Sequence, residues 1–193
     1  GATLSECHAL YDLAAAKGEA LLATWHSREA AAVDAARDWL ASRRVNRAHI
    51  TWHESVRKWH PGQEWIFEPG GMGVFDPGIN ALSILTKILP SPVHLTAATL
   101  GFPANRQTPI AAELTFTGNV TASFDWRKDA GETWEIEVET PDGVLHLKDG
   151  GARMTLNGID QPLAKDIGEY PRLYQQMAAA VANRSVDMDL APM

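Results

Sequence analysis

Two polar side chains, Asp76 and Asn80, stand four residues apart just after a glycine-rich stretch at residues 70–73. On a helix this spacing places both side chains on one face, one turn apart. Glycines beside them would let a ligand approach the backbone closely, so the pair could bind two neighbouring hydroxyl groups. The alternative is that Asp76 only caps the helix and Asn80 faces solvent. The spacing taken alone favours that alternative.

A second group of candidates combines a carboxylate on a strand with two histidines. Glu54 shares a predicted strand face with Ile50 and Trp52. An inward-facing carboxylate needs hydrogen-bond donors, which could be sugar hydroxyls or backbone amides at the strand end. His60, next to a tryptophan in a turn-rich segment, and His26, after a short apolar run, could bind hydroxyls of a sugar that stacks on the indole. Each histidine could equally be a structural hydrogen-bonding residue.

Several classes of function are disfavoured by composition and motifs. The sequence has no Gly-x-Gly-x-x-Gly fingerprint, so these residues alone are not expected to bind a dinucleotide phosphate. No Cys/His set with the spacing of a zinc site is evident, and no metal is predicted. The formal net charge of −7 argues against nucleic-acid binding. No apolar stretch approaches the length of a membrane span. Cys7 is the only cysteine, which favours a reducing compartment, the cytoplasm.

The start of the chain has the pattern of a helix followed by a strand. Thr3 and Glu6 form a capping box, and Gly18 is a typical helix stop. Residues 21–26 are an apolar run of strand length. This order is typical of the last part of an α/β domain.

Two further helices and a strand are expected before residue 90. Ser27 is predicted to cap one helix, residues 48–54 alternate as a strand, and a second helix starts at Asp76-Pro77 and ends at Pro90. The residues expected on the buried faces of the two helices are Val33, Ala36 and Leu40 for the first, and Ile79, Leu82, Leu85 and Leu89 for the second.

The remaining sequence predicts mainly strands. Short alternating runs fill residues 93–156, the clearest being residues 133–140, and Asp142-Gly143 marks a hairpin turn. A last helix is expected over residues 169–183. The fold class is therefore α+β: a mostly antiparallel open sheet with helices packed on one face, preceded by the last helix–strand piece of a Rossmann-like domain.

Residues 70–80, Gly-Gly-Met-Gly-Val-Phe-Asp-Pro-Gly-Ile-Asn, resemble the substrate-site helix of the glucose–fructose oxidoreductase and inositol dehydrogenase (Gfo/Idh/MocA) family. That family has an aspartate and, four residues later, a histidine, whose place is taken here by Asn80. In this respect the chain is similar to the branch of aldose 1-dehydrogenases that act on L-arabinose or D-galactose. Residues 23–28, 59–63 and 124–127 fit the same branch, and the resemblance covers essentially the whole chain.

The resemblance implies oxidation of a cyclic aldose, L-arabinose or D-galactose, at C1 to the lactone, with NAD or NADP as cofactor. It implies that a family lysine works beside the catalytic aspartate, and whether lysine or aspartate is the base stays open. The residues carried over by position are Asp76 as the catalytic group, His26, Glu54, His60 and Asn80 as substrate-binding groups, and Trp25 beside the nicotinamide.

The resemblance also implies that this sequence is part of a longer protein. In the family the catalytic lysine lies in a Glu-Lys-Pro motif just before a segment like residues 1–6. We therefore expect residues 1–28 to be the tail of a nucleotide-binding domain and residues 29–193 to be a substrate-binding and dimerisation domain. Such a domain would form a homodimer through the sheet face. Two alternatives stay open: a non-catalytic sugar-binding and dimerisation module, and an aldose–aldose oxidoreductase.

Overall fold

The computed structural model describes residues 3–163 and 167–193. The described chain has the predicted α+β architecture. Three short 3-10 segments, His26–Glu29, Glu64–Phe67 and Asp149–Gly151, accompany the main elements. In chain order the helices and strands are α1 (Leu4–Lys17), β1 (Leu21–Leu22), α2 (Val33–Leu40), β2 (Arg47–His53), α3 (Val56–Trp59), α4 (Phe75–Ile88), β3 (Leu95–Gly101), β4 (Ala111–Phe116), β5 (Val120–Asp125), β6 (Thr133–Thr140), β7 (Gly143–Lys148), β8 (Arg153–Leu156), β9 (Ile159–Asp160), α5 (Glu169–Asn183) and β10 (Val186–Asp187).

The main sheet has eight strands in the order β3-β4-β5-β2-β6-β7-β8-β9. Its described strands pair antiparallel except β2 and β5, which are parallel. β2 lies in the interior of the sheet, where Ile50 is opposite Ala122 on one side and Ile136 on the other. The prediction of a mostly antiparallel open sheet is confirmed.

Alternation along the strands separates an apolar face from a polar one. Ala48, Ile50 and Trp52 of β2 are buried, and α2 and α4 pack on this side of the sheet. The opposite face carries ion pairs, such as that of Arg47 with Glu139 at 2.6 Å. The helices therefore cover one face and leave the polar face of the sheet open, as a one-sided antiparallel sheet permits.

The predicted capping box of α1 is confirmed. Thr3 Oγ1 accepts from the Glu6 backbone N–H at 3.3 Å, and a Glu6 carboxylate oxygen accepts from the Thr3 N–H at 3.1 Å. The helix ends at Gly18 in the left-handed conformation. None of the helices within residues 3–163 and 167–193 is long and apolar enough to cross a membrane.

The strand predicted over residues 21–26 is shorter than expected. β1 contains only Leu21 and Leu22, because its parallel partner β10 offers just Val186 and Asp187. The chain then turns into the 3-10 segment His26–Glu29.

The prediction that Ser27 caps a helix is wrong. Ser27 is buried inside the 3-10 segment, and α2 starts only at Val33 after Ala32, without a side-chain cap. The predicted burial of Val33, Ala36 and Leu40 is confirmed.

The predicted buried face of α4 is confirmed only in part. Leu85 is buried, and Leu82 and Leu89 pack against the core while half-buried. Ile79 is only half-buried. The helix approaches the sheet through small residues such as Gly78, and side chains as small as these carry little signal in an apolar stripe. The residues of α4 that are buried are Pro77, Gly78, Ala81, Ser83, Ile84, Leu85 and Ile88.

Gly78 tests this close approach. A Cβ added there would lie 2.8 Å from the ring of Phe124, which is buried. We expect Gly78→Ala to lower the free energy of unfolding by about 1–2 kcal/mol, because overpacking costs ~1–3 kcal/mol and better helix propensity restores up to ~1 kcal/mol. Urea denaturation measures the change.

Gly101→Ala is the matched control. Its new Cβ would lie 3.5 Å from Ala111 Cβ, an ordinary contact, so stability should stay within about 0.5 kcal/mol of the parent chain. A Gly78→Ala variant as stable as the parent would contradict the proposed packing.

Candidate functional site

A cavity of about 360 Å³ opens on the apolar side of the sheet, where β2 ends and α4 begins. Its walls also come from the α3 turn, the His26–Glu29 and Asp149–Gly151 segments and the first residue of α5. The residues that line it are His26, Ser27, Trp52, Glu54, Trp59, His60, Asp76, Pro77, Asn80, Trp134, Asp149, Gly150 and Glu169.

The structure brings five of the six predicted site residues together in this cavity. They are the proposed catalytic Asp76 and the proposed substrate-binding residues His26, Glu54, His60 and Asn80. The sixth, Trp25, lies outside it, and its indole N–H donates to the Asp189 carbonyl at 2.8 Å. The chemical role of each residue stays a prediction.

Glu54 follows the last residue of β2 and is only 6% exposed. Its protein partners are indoles and not the backbone amides that were one expectation: Trp126 Nε1 donates to Oε1 at 3.1 Å, and Trp134 Nε1 donates to Oε2 at 2.8 Å. Burial raises the pKa of the Glu54 carboxyl above its ordinary value, and the two indole hydrogen bonds oppose that rise. A carboxylate has about four lone-pair sites, so each oxygen can still accept a hydroxyl from a ligand.

Asp76 lies in the first turn of α4, after the N-cap residue Val74, and makes no capping hydrogen bond. The capping alternative is therefore wrong. A carboxylate at this position is favoured by the helix dipole. Its Oδ2 is 3.3 Å from His60 Nε2, while His60 Nδ1 lies 3.2 Å from Gln63 Oε1. With 38% of its side chain exposed, Asp76 is accessible to a ligand in the cavity.

His26 is held from two sides by α5. Its Nδ1 is 2.6 Å from Glu169 Oε2, and its ring stacks on Tyr170 with 5.6 Å between centroids and 8° between planes. Because Nδ1 is engaged by the carboxylate, Nε2 is the nitrogen that can bind a ligand. The sequence analysis missed Glu169, whose only signal was its place at the start of the last predicted helix.

Asp149 and Gly150 were also missed. They form a turn in which Asp149 has a positive φ of 52° and Gly150 one of 67°. The Asp-Gly-Gly sequence was a turn signal, but nothing in it indicated that the turn faces the cavity.

The cavity has a marked chemical character. Among residues 3–163 and 167–193, four carboxylates and three tryptophans line it, and no lysine or arginine does. Carboxylates accept hydrogen bonds and indole rings pack on apolar ring faces. Such a lining suits an uncharged polyhydroxylated ring and opposes a phosphate or another carboxylate.

A metal site is not supported by the described residues, which contain no group of three or more His, Cys, Asp or Glu able to hold an ion. His49 and His53 are four residues apart, but they lie along β2 and bond separately to Thr121 Oγ1 at 2.7 Å and Ser123 Oγ at 2.9 Å. Both histidines make these hydrogen bonds on the polar face of the sheet.

Known proteins are similar to this chain in sequence and in fold. The chain is 44% identical over 168 residues to a galactose 1-dehydrogenase of Pseudomonas fluorescens, a match that spans 85% of this chain and 55% of that protein. The solved D-galactose-1-dehydrogenase of Rhizobium etli superposes with a TM-score of 0.92 at 48% identity over 100% of this chain and 62% of its own. A 3-ketoreductase from Actinomadura kijaniata shares the fold alone, with a TM-score of 0.77 at 12% identity over 97% of this chain and 62% of its own. No family model matches.

The fold is that of the carboxy-terminal part of the Gfo/Idh/MocA oxidoreductases, as the sequence resemblance predicted. Within this family the chain is a homologue of the galactose 1-dehydrogenases. It spans between about half and two thirds of the length of these relatives.

The buried carboxyl of Glu54 predicts a specific pH dependence of stability. Its pKa is raised on folding, so the folded state binds a proton more tightly than the unfolded state. The stabilising contribution is present below the unfolded pKa and is lost as pH rises through the folded pKa. The melting temperature of the parent chain, measured relative to that of Glu54→Gln, should therefore fall as the pH rises above the ordinary glutamate range.

Glu132→Gln is a control for which the opposite change of relative stability with pH is expected. A hydrogen bond from Lys58 lowers the pKa of Glu132, so the parent chain should gain stability relative to this variant as pH rises through the acidic range. Melting curves of the three proteins across the same buffers test both trends. If the melting-temperature differences between the parent and the two variants change with pH in the same direction, the raised pKa of Glu54 is contradicted.

Proposed function

We propose that this chain is the substrate-binding part of an NAD(P)-dependent aldose 1-dehydrogenase that oxidises C1 of D-galactose or L-arabinose to the lactone. The observation that carries the proposal is the carboxylate- and tryptophan-lined cavity, in a chain 48% identical to a D-galactose-1-dehydrogenase. L-Arabinose has the same arrangement of ring hydroxyls as D-galactose and lacks only the exocyclic hydroxymethyl group. A cavity that admits D-galactose should therefore admit both.

The cofactor is proposed to bind mainly to a nucleotide-binding domain outside these residues. In the part of the chain that the structure describes, no lysine or arginine lines the cavity to bind a pyrophosphate, and the sequence has no Gly-x-Gly-x-x-Gly loop. Oxidation of C1 would need a hydride acceptor, which NAD or NADP would supply when bound. Trp25, adjacent in sequence to His26 but outside the cavity, is the residue proposed to contact the nicotinamide.

Asp76 is proposed as the group nearest the reacting hydroxyl. A base must take the proton of the anomeric hydroxyl as C1 is oxidised, and Asp76 combines an accessible carboxylate with a histidine 3.3 Å away. The family lysine is the other candidate for this base.

The other polar residues are proposed to hold the sugar in place. His26, Glu54, His60 and Asn80 line the same cavity and would bind the hydroxyls that do not react. Holding the ring in a reactive orientation is itself a large contribution to catalysis. The four carboxylates of the lining favour an uncharged sugar over a phosphorylated or acidic one.

We also propose that the protein is a homodimer and works in the cytoplasm. The open polar face of the sheet supports the dimer: Glu135 bonds to His146 at 3.0 Å, and Arg47 pairs with Glu137 and Glu139. An ordered polar surface of this kind suits a hydrated contact between two copies. The single cysteine, Cys7, favours the reducing compartment.

Asp76→Asn is the test of the proposed catalytic role. In the full-length protein, with D-galactose and NAD or NADP, kcat should fall by about 10²–10⁴-fold, because the amide cannot accept the proton. The shape of the side chain is kept, so the Kd for D-galactose should change much less. Absorbance of the reduced nicotinamide gives kcat, and calorimetry gives Kd.

Asp142→Asn is the matched control. Asp142 lies in the β6–β7 turn with 63% of its side chain exposed. The kcat of the Asp142→Asn variant should equal that of the parent. An Asp76→Asn variant with unchanged kcat would contradict the catalytic role. A parent protein that binds D-galactose but reduces neither cofactor with D-galactose or L-arabinose would favour the sugar-binding module instead.

A further inference from the structure

We propose that Trp126 and Trp134 are positioning residues whose two indole N–H groups fix the carboxylate of Glu54 as an acceptor for ligand hydroxyls. The proposal rests on the proposed function only for the identity of the ligand. It assigns to two tryptophans a role in hydrogen bonding in addition to their role in packing.

The two indoles bind the carboxylate from neighbouring strands. Trp126 directly follows β5 and donates to Oε1 at 3.1 Å, and Trp134, near the start of β6, donates to Oε2 at 2.8 Å. Each oxygen therefore has one donor, which prevents the carboxylate from rotating without breaking a hydrogen bond.

The backbone around Glu54 is fixed as well. Its N–H donates to the Asp125 carbonyl at 2.9 Å, and its carbonyl accepts from the Lys128 N–H at 3.1 Å. Trp126 is fully buried, and its backbone N–H donates to the Ile110 carbonyl at 3.0 Å. Both ends of the Trp126–Glu54 hydrogen bond are thus held by the sheet.

The chemistry of the donors explains why tryptophan is suitable here. An indole N–H donates and does not accept, and it carries no charge. A lysine or arginine would neutralise the carboxylate, whereas two indoles orient it and leave its negative charge in the cavity. Hydrogen bonds from hydroxyls to an ionised carboxylate are stronger than those to a neutral group.

The same hydrogen bonds favour the ionised form of Glu54. Burial raises the pKa of this carboxyl, and the bonds from Trp126 and Trp134 lower it. Removal of either bond should therefore raise the pKa of Glu54 further, and the carboxyl should take up a proton at higher pH.

A competing explanation is that Trp134 serves only as part of an aromatic wall. Its ring lies 6.3 Å from that of Trp52 and 5.7 Å from that of Trp59. Phenylalanine keeps an aromatic ring and removes the N–H donor, so Trp134→Phe separates the two explanations.

The test is the titration of Glu54 in the chain without any sugar, followed by the ¹³C resonance of its carboxyl group. The resonance is identified by its absence in Glu54→Gln. In Trp134→Phe the midpoint should lie about one pH unit above that of the parent, which corresponds to a tenfold tighter proton. Trp126→Phe should move the midpoint in the same direction and serves if the first variant does not fold.

Trp39→Phe is the matched control, because Trp39 packs on the core through α2 and does not line the cavity. Its midpoint should equal that of the parent. Midpoints that are equal in the parent chain and in a folded Trp134→Phe or Trp126→Phe variant would overturn the proposal.

The second measurement is the Kd for D-galactose, obtained by calorimetry. At neutral pH the Kd of Trp134→Phe should rise by about tenfold, as for the loss of one hydrogen bond to a charged group, and the loss should grow as the pH falls. A shifted midpoint without any D-galactose binding by the parent chain would support the role of the indoles and contradict the proposed substrate. Binding of D-galactose with no shifted midpoint would support the substrate and overturn the role of the indoles.

Discussion

The buried carboxylate of Glu54 is the constraint on which the site depends. A charged group on the apolar side of a sheet is destabilising unless donors surround it, and here the donors come from the two strands that flank β2. Trp126 follows β5 on one side and Trp134 belongs to β6 on the other. The strand order β5-β2-β6 therefore creates the polar centre of an otherwise apolar layer. A different register of either neighbour would leave one carboxylate oxygen without its indole donor.

The rest of the cavity is assembled around this centre. The ring of Trp126 also packs against His60, with 5.3 Å between centroids, so one indole supports both Glu54 and the partner of Asp76. On the other wall, Arg28 donates to the Ser83 carbonyl at 2.9 Å and so ties the segment that carries His26 to α4. Shared packing of this kind holds residues from distant parts of the chain within reach of a single ligand.

Sequence periodicity predicted which face Glu54 would occupy, because alternation along a strand is fixed by geometry. It could not predict the partners of Glu54, since the two tryptophans lie 72 and 80 residues away in the chain. The buried face of α4 was predicted only in part for a related reason: Gly78 allows a close approach to the sheet that an apolar stripe does not reveal. The five predicted residues that share the cavity were first noted from their types and spacing, and the family resemblance added their expected roles. Asp149 and Glu169 belong to a turn and a helix start without a recognised motif.

The most direct test of the account is a crystal structure of the chain with D-galactose bound. The account predicts one sugar in the cavity, with hydroxyl oxygens within hydrogen-bond distance of the Glu54 carboxylate and the anomeric hydroxyl nearest Asp76. The two indole N–H groups should still bind Glu54 in that structure. A sugar bound elsewhere, or one that leaves Glu54 without a hydroxyl partner, would contradict the account.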